Sequence, residues 1–181
     1  MRAFALVVLV LAAPLFLSSP THAQPSPPDC VVPCGFTLVG LLSGVPAPQG
    51  EFTIIVNDAF GVPIAASEVV LDFTGCIPDI NICSVQSFPG VTADCAVAPG
   101  TIAGTTDAAG SVTFRIVGGA ENTGALGPAA GAQCAAVLAN SGPGTAFVPI
   151  GTMNVSAYDE DGAGGVNIVD LSMWLSGVFT A

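Results

Sequence analysis

The sequence is poor in positive charge. It contains no lysine, two arginines and one histidine against 13 acidic residues, which gives a net charge of −11. Such a chain has almost nothing with which to neutralise phosphate groups, so nucleic-acid binding and electrostatic docking on anionic lipid are both disfavoured. Charged residues make up only 8% of the chain and hydrophobic residues 51%. This apolar fraction is too high for intrinsic disorder and predicts a folded, loop-rich protein.

Long hydrophobic runs are also scarce. The first one covers residues 3–17, which is short for a membrane-spanning helix. It follows Arg2 and leads to a small-residue T-H-A triplet, the layout of a secretory signal peptide over residues 1–23 that is cleaved before Gln24. An uncleaved N-terminal anchor is the alternative. We therefore expect a secreted, extracellular or cell-surface protein that has no membrane span after cleavage.

Cleavage would leave few side chains for catalysis. Arg115 would be the only basic residue, and the only histidine would be lost. A nucleophile activated by histidine, a histidine general base and histidine-ligated zinc are then excluded, so we expect a protein that is not an enzyme. Glycosidase-type carboxylate pairs could be drawn from Asp72 with Asp94 or from Glu51 with Glu68, but any acidic chain offers such pairs.

Six cysteines lie beyond the cleavage site, and an even number in an exported chain predicts a disulfide framework. No pair has the two-residue gap of a zinc knuckle. Many connectivities are open to six thiols. The working assignment joins Cys76 to Cys83, Cys95 to Cys134 and Cys30 to Cys34.

The body of the chain has the pattern of short β-strands between turn signals. In three of these runs apolar residues alternate with polar ones, so one face should point into a core and Arg115 should be a surface ion-pair partner. The stretches 75–110 and 118–133 are predicted as long connections. Predicted strands cover residues 36–42, 51–57, 68–74, 111–117, 135–139 and 153–158; the predicted inward residues are Phe52, Ile54, Val56, Val69, Leu71, Phe73, Val112, Phe114 and Ile116.

Recurring turn motifs carry a resemblance to a known class of domain. Three segments resemble the bacterial Ig-like domains of exported and surface proteins: E-F-T-I-I-V-N-D-A-F-G-V-P-I-A-A-S-E-V-V-L-D-F (51–73), T-D-A-A-G-S-V-T-F-R-I (106–116) and G-T-M-N-V-S-A-Y-D (151–159). This resemblance implies an antiparallel Ig-like β-sandwich over residues 36–158. A Pro-rich linker, residues 24–35, would precede the sandwich, and no internal repeat is present.

The segment D-E-D-G-A-G-G-V-N-I-V-D-L, residues 159–171, has the layout of a calcium-binding loop. Hard oxygen donors recur at the spacing that wraps one ion, and Gly164 permits the sharp turn. Ala163 stands where a further oxygen donor is usual. A solvated acidic turn is the alternative interpretation. The predicted Ca²⁺ ligands are Asp159, Asp161, the Gly165 carbonyl, Asn167 and Asp170.

An apolar stripe follows the acidic loop and predicts a short amphipathic helix: Leu171, Trp174, Leu175 and Val178. The loop, its terminal aspartate and the helix together are similar to the calcium-binding repeat of dockerin domains, over residues 159–180. Dockerins carry two such repeats, whereas this chain has one. The pair that follows Asn167 is Ile168-Val169 rather than hydroxyl residues, so the resemblance does not extend to cohesin recognition.

These observations predict an exported, noncatalytic structural, adhesion or assembly module with a calcium-ordered motif at residues 159–181. Its partner would be an extracellular protein or a polysaccharide. A carbohydrate-binding module of a polysaccharide-degrading system is the main alternative, and it would need an exposed strip of aromatic side chains. An envelope structural protein and a hydrolase are further alternatives, and the hydrolase would need carboxylates that converge in a cleft.

Overall fold

The computed structural model describes residues 23–42, 45–76, 80–82, 86, 88–94, 100–120 and 133–157. These residues form a mainly β structure in which the only helices are single 3-10 turns, and none of them could cross a membrane. The 3-10 turns are Pro27–Asp29, Pro48–Gly50 and Thr74–Cys76. The strands are β1 Gly35–Leu38, β2 Leu41–Leu42, β3 Val45–Pro46, β4 Phe52–Ile55, β5 Glu68–Asp72, β6 Ile80–Ile82, β7 Val91–Asp94, β8 Thr101–Thr105, β9 Ser111–Phe114, β10 Gly118–Ala120, β11 Gln133–Ala139 and β12 Val148–Ala157.

Six strands form one mixed sheet in the order β1-β12-β11-β5-β8-β7. Strand β1 runs parallel to β12, with Phe36 opposite Val155, whereas the other pairs in this sheet are antiparallel. The expectation of a purely antiparallel arrangement is therefore wrong at this pair. The two strands lie near opposite ends of the described chain, and alternation within a strand does not reveal the direction of its distant neighbour.

Three two-stranded sheets accompany the large one, namely β4 with β9, β6 with β10, and β2 with β3. The apolar faces of the large sheet and of the β4–β9 pair belong to one core. Phe36 of β1 stacks on Phe52 of β4 with ring centroids 4.5 Å apart, and the Phe73 ring meets the Phe36 ring edge-on at 6.0 Å. Aromatic side chains thus join the two sheets.

The predicted register is confirmed. All nine residues predicted to point inward are buried, at 9% exposure or less, and Ile54, Leu71 and Phe114 are completely buried. Arg115 lies between the buried residues Phe114 and Ile116 but is itself only partly buried. Alternation alone was sufficient here because a shift of one residue would exchange the apolar and polar faces of each strand.

The stretches predicted as long connections contain additional strands. Residues 75–110 include β6, β7 and β8, and β10 follows at 118–120. Strand β8 pairs with β5 and places Ile102, which is fully buried, opposite Leu71. Its sequence T-I-A-G-T is short, carries a glycine and contains Ile102 as its single large apolar residue, so it shows no alternation of large apolar residues.

The predicted linker also packs against the sheet. The Ser26 N–H donates to the Asn57 carbonyl at 2.9 Å, and Val31 forms an antiparallel bridge with Ile55. Cys30 and Val32 pack against the core. From Ser26 to Val32 this segment is therefore part of the packed structure.

Candidate functional site

The predicted calcium ligands lie outside the described residues, as does the predicted helix after them. The structure does define the strand that leads to them. Strand β12 ends at Ala157, two residues before Asp159, and lies between β1 and β11 in the large sheet. Ala157 is buried and pairs with Leu38. The acidic segment therefore follows a strand whose last residues pair with β1, whereas its pairing with β11 ends at Asn154.

A disulfide joins Cys76 to Cys134, with the two Cα atoms 4.8 Å apart. The working assignments of Cys76 to Cys83 and of Cys95 to Cys134 are thus wrong, since each cysteine forms one bond; Cys83 and Cys95 themselves lie outside the described residues. The pairing of β5 with β11 explains the observed bond. Asp72 lies opposite Ala136, so the 3-10 turn after β5 arrives beside the start of β11.

Cys30 and Cys34 are free thiols, so the assigned bond between them is also wrong. Cys30 has extended backbone angles. A chain that continues as a strand separates Cα atoms four residues apart by about 13 Å, whereas a disulfide needs about 7 Å or less. The Cys30 thiol donates to the Asn57 carbonyl, and burial raises its pKa. Cys34 is exposed and is the more accessible thiol of the two.

Arg115 is the one basic residue among the described ranges, and it forms the surface ion pair that the sequence predicted. Its Nε and one terminal guanidinium nitrogen donate to Glu51 Oε2 at 2.9 and 2.6 Å. The guanidinium also lies over the Phe88 ring, 5.1 Å from the ring centroid. Through these contacts the Arg115 side chain is already bound, at the end of the β4–β9 pair where β9 ends.

Three loops meet at the opposite end of the molecule. They are residues 56–67 between β4 and β5, residues 106–110 between β8 and β9, and residues 140–147 between β11 and β12. The Ala66 N–H donates to the Thr106 carbonyl at 3.1 Å, and the Asn140 N–H donates to the Glu68 carbonyl at 3.1 Å. We call this surface the three-loop end.

A buried polar network ties these loops together. Ser67, Thr106 and Asn140 are the polar residues that are buried within the described ranges. The Ser67 N–H donates to Thr106 Oγ1 at 2.9 Å, and Thr106 Oγ1 donates to the Ile64 carbonyl at 2.7 Å. The Ser67 hydroxyl donates to the Asn140 carbonyl at 2.6 Å. Buried hydrogen bonds of this kind fix the relative position of the loops, because a broken bond would leave a desolvated polar group.

Within this network, replacement of Asn140 alone should have a measurable effect on the stability of the protein. Its Oδ1 accepts from the Glu68 N–H at 2.8 Å and from the Gly142 N–H at 3.0 Å. Asn140→Ala leaves both donors without this acceptor, so we expect a loss of about 1–3 kcal/mol in the free energy of unfolding. Urea denaturation measures it. Thr105→Ala, at an exposed position on β8, is the control and should change stability by less than about 0.5 kcal/mol; equal values for the two variants would contradict the network.

Two of the loops contain the same turn. In D-A-F-G-V, Asp58 Oδ1 accepts from the backbone N–H groups of Phe60 and Val62, both at 2.9 Å. In D-A-A-G-S, Asp107 Oδ1 accepts from the N–H groups two and four residues later, at 2.8 and 3.0 Å. The glycines at the fourth position have φ of +73° and +69°, a conformation that favours glycine. Each aspartate therefore braces a rigid turn.

The braced turns expose apolar side chains. Phe60 is 91% exposed, Val62 54% and Phe147 42%. Gly110 lies against Pro63, so the two turns are neighbours: a Cβ at Gly110 would be 3.0 Å from the Pro63 Cβ. The other exposed apolar residues of the three-loop end are Ala59, Pro63, Ala65, Ala66, Ala108, Ala109, Pro143 and Ala146.

The structure brings the members of one candidate carboxylate pair onto the same face of the large sheet and separates those of the other. Asp72 and Asp94 both lie opposite Thr101, on strands either side of β8, and therefore on the face of the sheet away from the core. Asp72 Oδ1 accepts from the Thr74 N–H at 2.9 Å. Glu51 is bound to Arg115, and Glu68 begins β5 at the three-loop end, so the second pair is separated along the molecule.

A shallow groove of about 270 Å³ follows the β1–β12 pair and is lined by residues 35–37 and 154–156. Its volume is below the range of roughly 300–1,000 Å³ that is typical of small-molecule sites. Within the described ranges, no cluster of three or more His, Cys, Asp or Glu side chains is placed to hold a metal ion.

Sequence reasoning recognised the two Asp-x-x-Gly turns but missed the surface that they form. The available signal was Phe60 at the third position of a turn, where a polar or small residue is more usual. The third loop, residues 140–147, carries no comparable motif, and its approach to the other two depends on the pairing of β11 with β5.

Comparisons with protein-family models, with curated protein sequences and with solved structures found no match for this chain.

Proposed function

We propose that this chain is an exported, noncatalytic adhesion or assembly module. In this proposal an Ig-like β-sandwich, crosslinked by a disulfide, carries a C-terminal motif that is ordered by Ca²⁺. The observation that carries the proposal is that β12 begins at the three-loop end and leads to the acidic segment. The three-loop end presents rigid apolar turns, and β12 starts directly after Phe147 and ends at Ala157 before the acidic segment. Ten residues of strand separate these ends by about 30 Å.

The strand order supports the Ig-like assignment. In that class a sheet with neighbours C, F and G faces a sheet that contains A, B and E. Here β5, β11 and β12 are neighbours in the large sheet, and they face β4 and β9 across the core. The bridge of Val31 to Ile55 supplies the position of the A strand.

The use of the acidic side chains supports a noncatalytic role. Asp58, Asp72 and Asp107 each accept hydrogen bonds from backbone N–H groups of their own turns. Asp29 accepts from the Ser26 hydroxyl, and Glu51 binds Arg115. These carboxylates stabilise local structure, which leaves them unsuited to general acid or base work on a substrate.

The calcium proposal rests on charge and on spacing. Asp159, Asp161 and Asp170 repel one another unless a cation lies between them, and oxygen donors at these positions suit the seven-oxygen coordination of Ca²⁺. We expect an ion bound by these oxygens to stabilise the loop and the start of the helix after it, because metal binding that requires the folded site contributes to folding. The pairing of the last residues of β12 with β1 gives the loop a defined starting point.

Calcium titration of the full secreted chain tests this proposal. Since Ala163 supplies no side-chain oxygen, we expect a dissociation constant of about 10⁻⁴ to 10⁻³ M, in the weak extracellular class, with a gain in helical circular dichroism. Asp159→Ala and Asp170→Ala should abolish the heat of binding, and Asp94→Ala, on the exposed edge strand β7, is the matched control. An absence of heat at several times that concentration, or an unchanged response in the two loop variants, would contradict calcium binding.

The described strands give little support to the alternative that the protein is a carbohydrate-binding module. The aromatic residues within them, Phe36, Phe52 and Phe114, are all buried in the core. An exposed aromatic strip on a sheet face, which would stack on sugar rings, is therefore missing from the described strands. Phe60 and Phe147 are exposed, but both lie on loops.

A further inference from the structure

We infer that the three-loop end is the docking surface for a protein partner that presents a basic rim around an apolar pocket. This inference rests on the proposed adhesion or assembly role and names the surface that performs it. The residues that would enter the pocket are Phe60 and Val62, with Pro63 next to them in the chain and Phe147 on the third loop of the same end.

The first support is the rigidity with which Phe60 is displayed. Asp58 Oδ1 binds the N–H groups of Phe60 and Val62, and two backbone bonds close the same turn: Asp58 N–H to the Val62 carbonyl at 2.9 Å and Gly61 N–H to the Asp58 carbonyl at 3.0 Å. The backbone of such a turn has little freedom to lose on binding, so only the Phe60 side chain has to be ordered. Preorganised aromatic residues are the usual anchors of protein interfaces.

The second support is that the exposed residues form a group. Single exposed hydrophobic residues are common and need no explanation. Here apolar exposed residues run without interruption from Ala59 to Pro63, and the Ala108–Ala109 turn lies directly beside them. The buried network of Ser67, Thr106 and Asn140 holds the third loop, with Phe147, at the same end.

Charge determines which partner fits. The three-loop end carries Asp58, Asp107 and Glu68, whereas Arg115 lies at the other end of the β4–β9 pair, already bound to Glu51. A second copy of this chain would bring like charges together, since the net charge is −11. An anionic membrane would be repelled in the same way. A basic rim would attract these carboxylates while the apolar side chains enter the pocket.

The sequence provides a matched variant. Phe60→Ala converts D-A-F-G into D-A-A-G, the sequence that already folds as the second braced turn at residues 107–110. The aspartate brace and the glycine with positive φ remain, so the loop should keep its conformation while its aromatic anchor is removed. A thermal unfolding midpoint equal to that of the unmodified protein confirms this.

The test is photo-crosslinking of the full chain in the culture medium of its producing cells. Benzoylphenylalanine replaces Phe60 in one preparation and exposed Thr92, on edge strand β7, in the control. We expect position 60 to yield an adduct with one unlike, net-basic protein, identified by mass spectrometry, and position 92 to yield none. With that purified partner, Phe60→Ala should weaken binding at least tenfold, an effect typical of hot-spot residues, and added salt should weaken it further.

Several outcomes would overturn the inference: no adduct at position 60 above the level at position 92, an adduct with a second copy of this chain, an adduct with an acidic protein or a polysaccharide, or unchanged affinity in Phe60→Ala. Partner capture that is lost in Asp159→Ala and Asp170→Ala but is independent of Phe60 would leave the adhesion role standing and refute this surface. No partner by either route would refute both.

Discussion

Phe114→Ala should lower the free energy of unfolding by about 3–5 kcal/mol, in the range typical of large-to-small substitutions of buried aromatic residues. The Phe114 ring is fully buried and stacks on Phe52 with centroids 5.5 Å apart. Gly104 of β8 packs closely against it: a Cβ at that position would lie 3.1 Å from the ring. Strands of both sheets thus depend on this side chain, and the cavity could not collapse without moving them.

Urea denaturation followed by intrinsic fluorescence or circular dichroism measures this loss. Thr113→Ala is the control on the same strand, because its hydroxyl meets only the Thr53 hydroxyl on the exposed face, at 3.0 Å. We expect the control to cost about 1 kcal/mol or less. If Thr113→Ala were the more damaging change, the register of β9 would be wrong by one residue.

Loss of the Cys76–Cys134 disulfide should have an effect of similar size. The bond closes a loop with a sequence separation of 58 residues, for which the chain-entropy relation gives about 4 kcal/mol of stabilisation. The double variant Cys76→Ala/Cys134→Ala should therefore unfold at a much lower urea concentration. The double variant Cys30→Ala/Cys34→Ala is the control, since both residues are free thiols, and it should cost less than about 2 kcal/mol.

Peptide mapping without reduction provides the direct check on connectivity. A peptide that contains Cys76 linked to one that contains Cys134 is expected. A link from Cys76 to Cys83, or equal stability of the two double variants, would contradict the structure.

Local pattern was enough to predict the inward faces of the strongest strands. In β9 apolar residues alternate strictly with polar ones, and in β4 and β5 every second residue is large and apolar although Ile55 and Val70 are apolar too, so the inward set followed from this spacing. The ion pair of Arg115 was also predictable in kind, because a charged residue within such a strand must occupy the outer face. Its partner, Glu51, depends on the pairing of β4 with β9 and was not predictable.

The features of the fold that the sequence did not predict depend on pairings between distant segments. The parallel contact of β1 with β12 and the bond of Cys76 to Cys134 both join residues far apart in sequence. Strand β8 was missed because a glycine, Gly104, stands on its core face, where Val112 and Phe114 of the opposite sheet fill the space. The three-loop end was also missed. Its buried polar residues, Ser67, Thr106 and Asn140, are far apart in sequence and come together only in the fold.

Amide hydrogen exchange with and without Ca²⁺ tests the proposed calcium-ordered motif most directly, because it reports on residues 159–180 and on the strands of the large sheet in one experiment. The account predicts that saturating Ca²⁺ slows exchange in peptides that cover residues 159–180, while strands β5 and β11 are unchanged because the core and the disulfide already protect them. Mg²⁺ at the same concentration should have a much smaller effect, since the loop suits the larger ion. Identical exchange of residues 159–180 with and without Ca²⁺ would contradict the account.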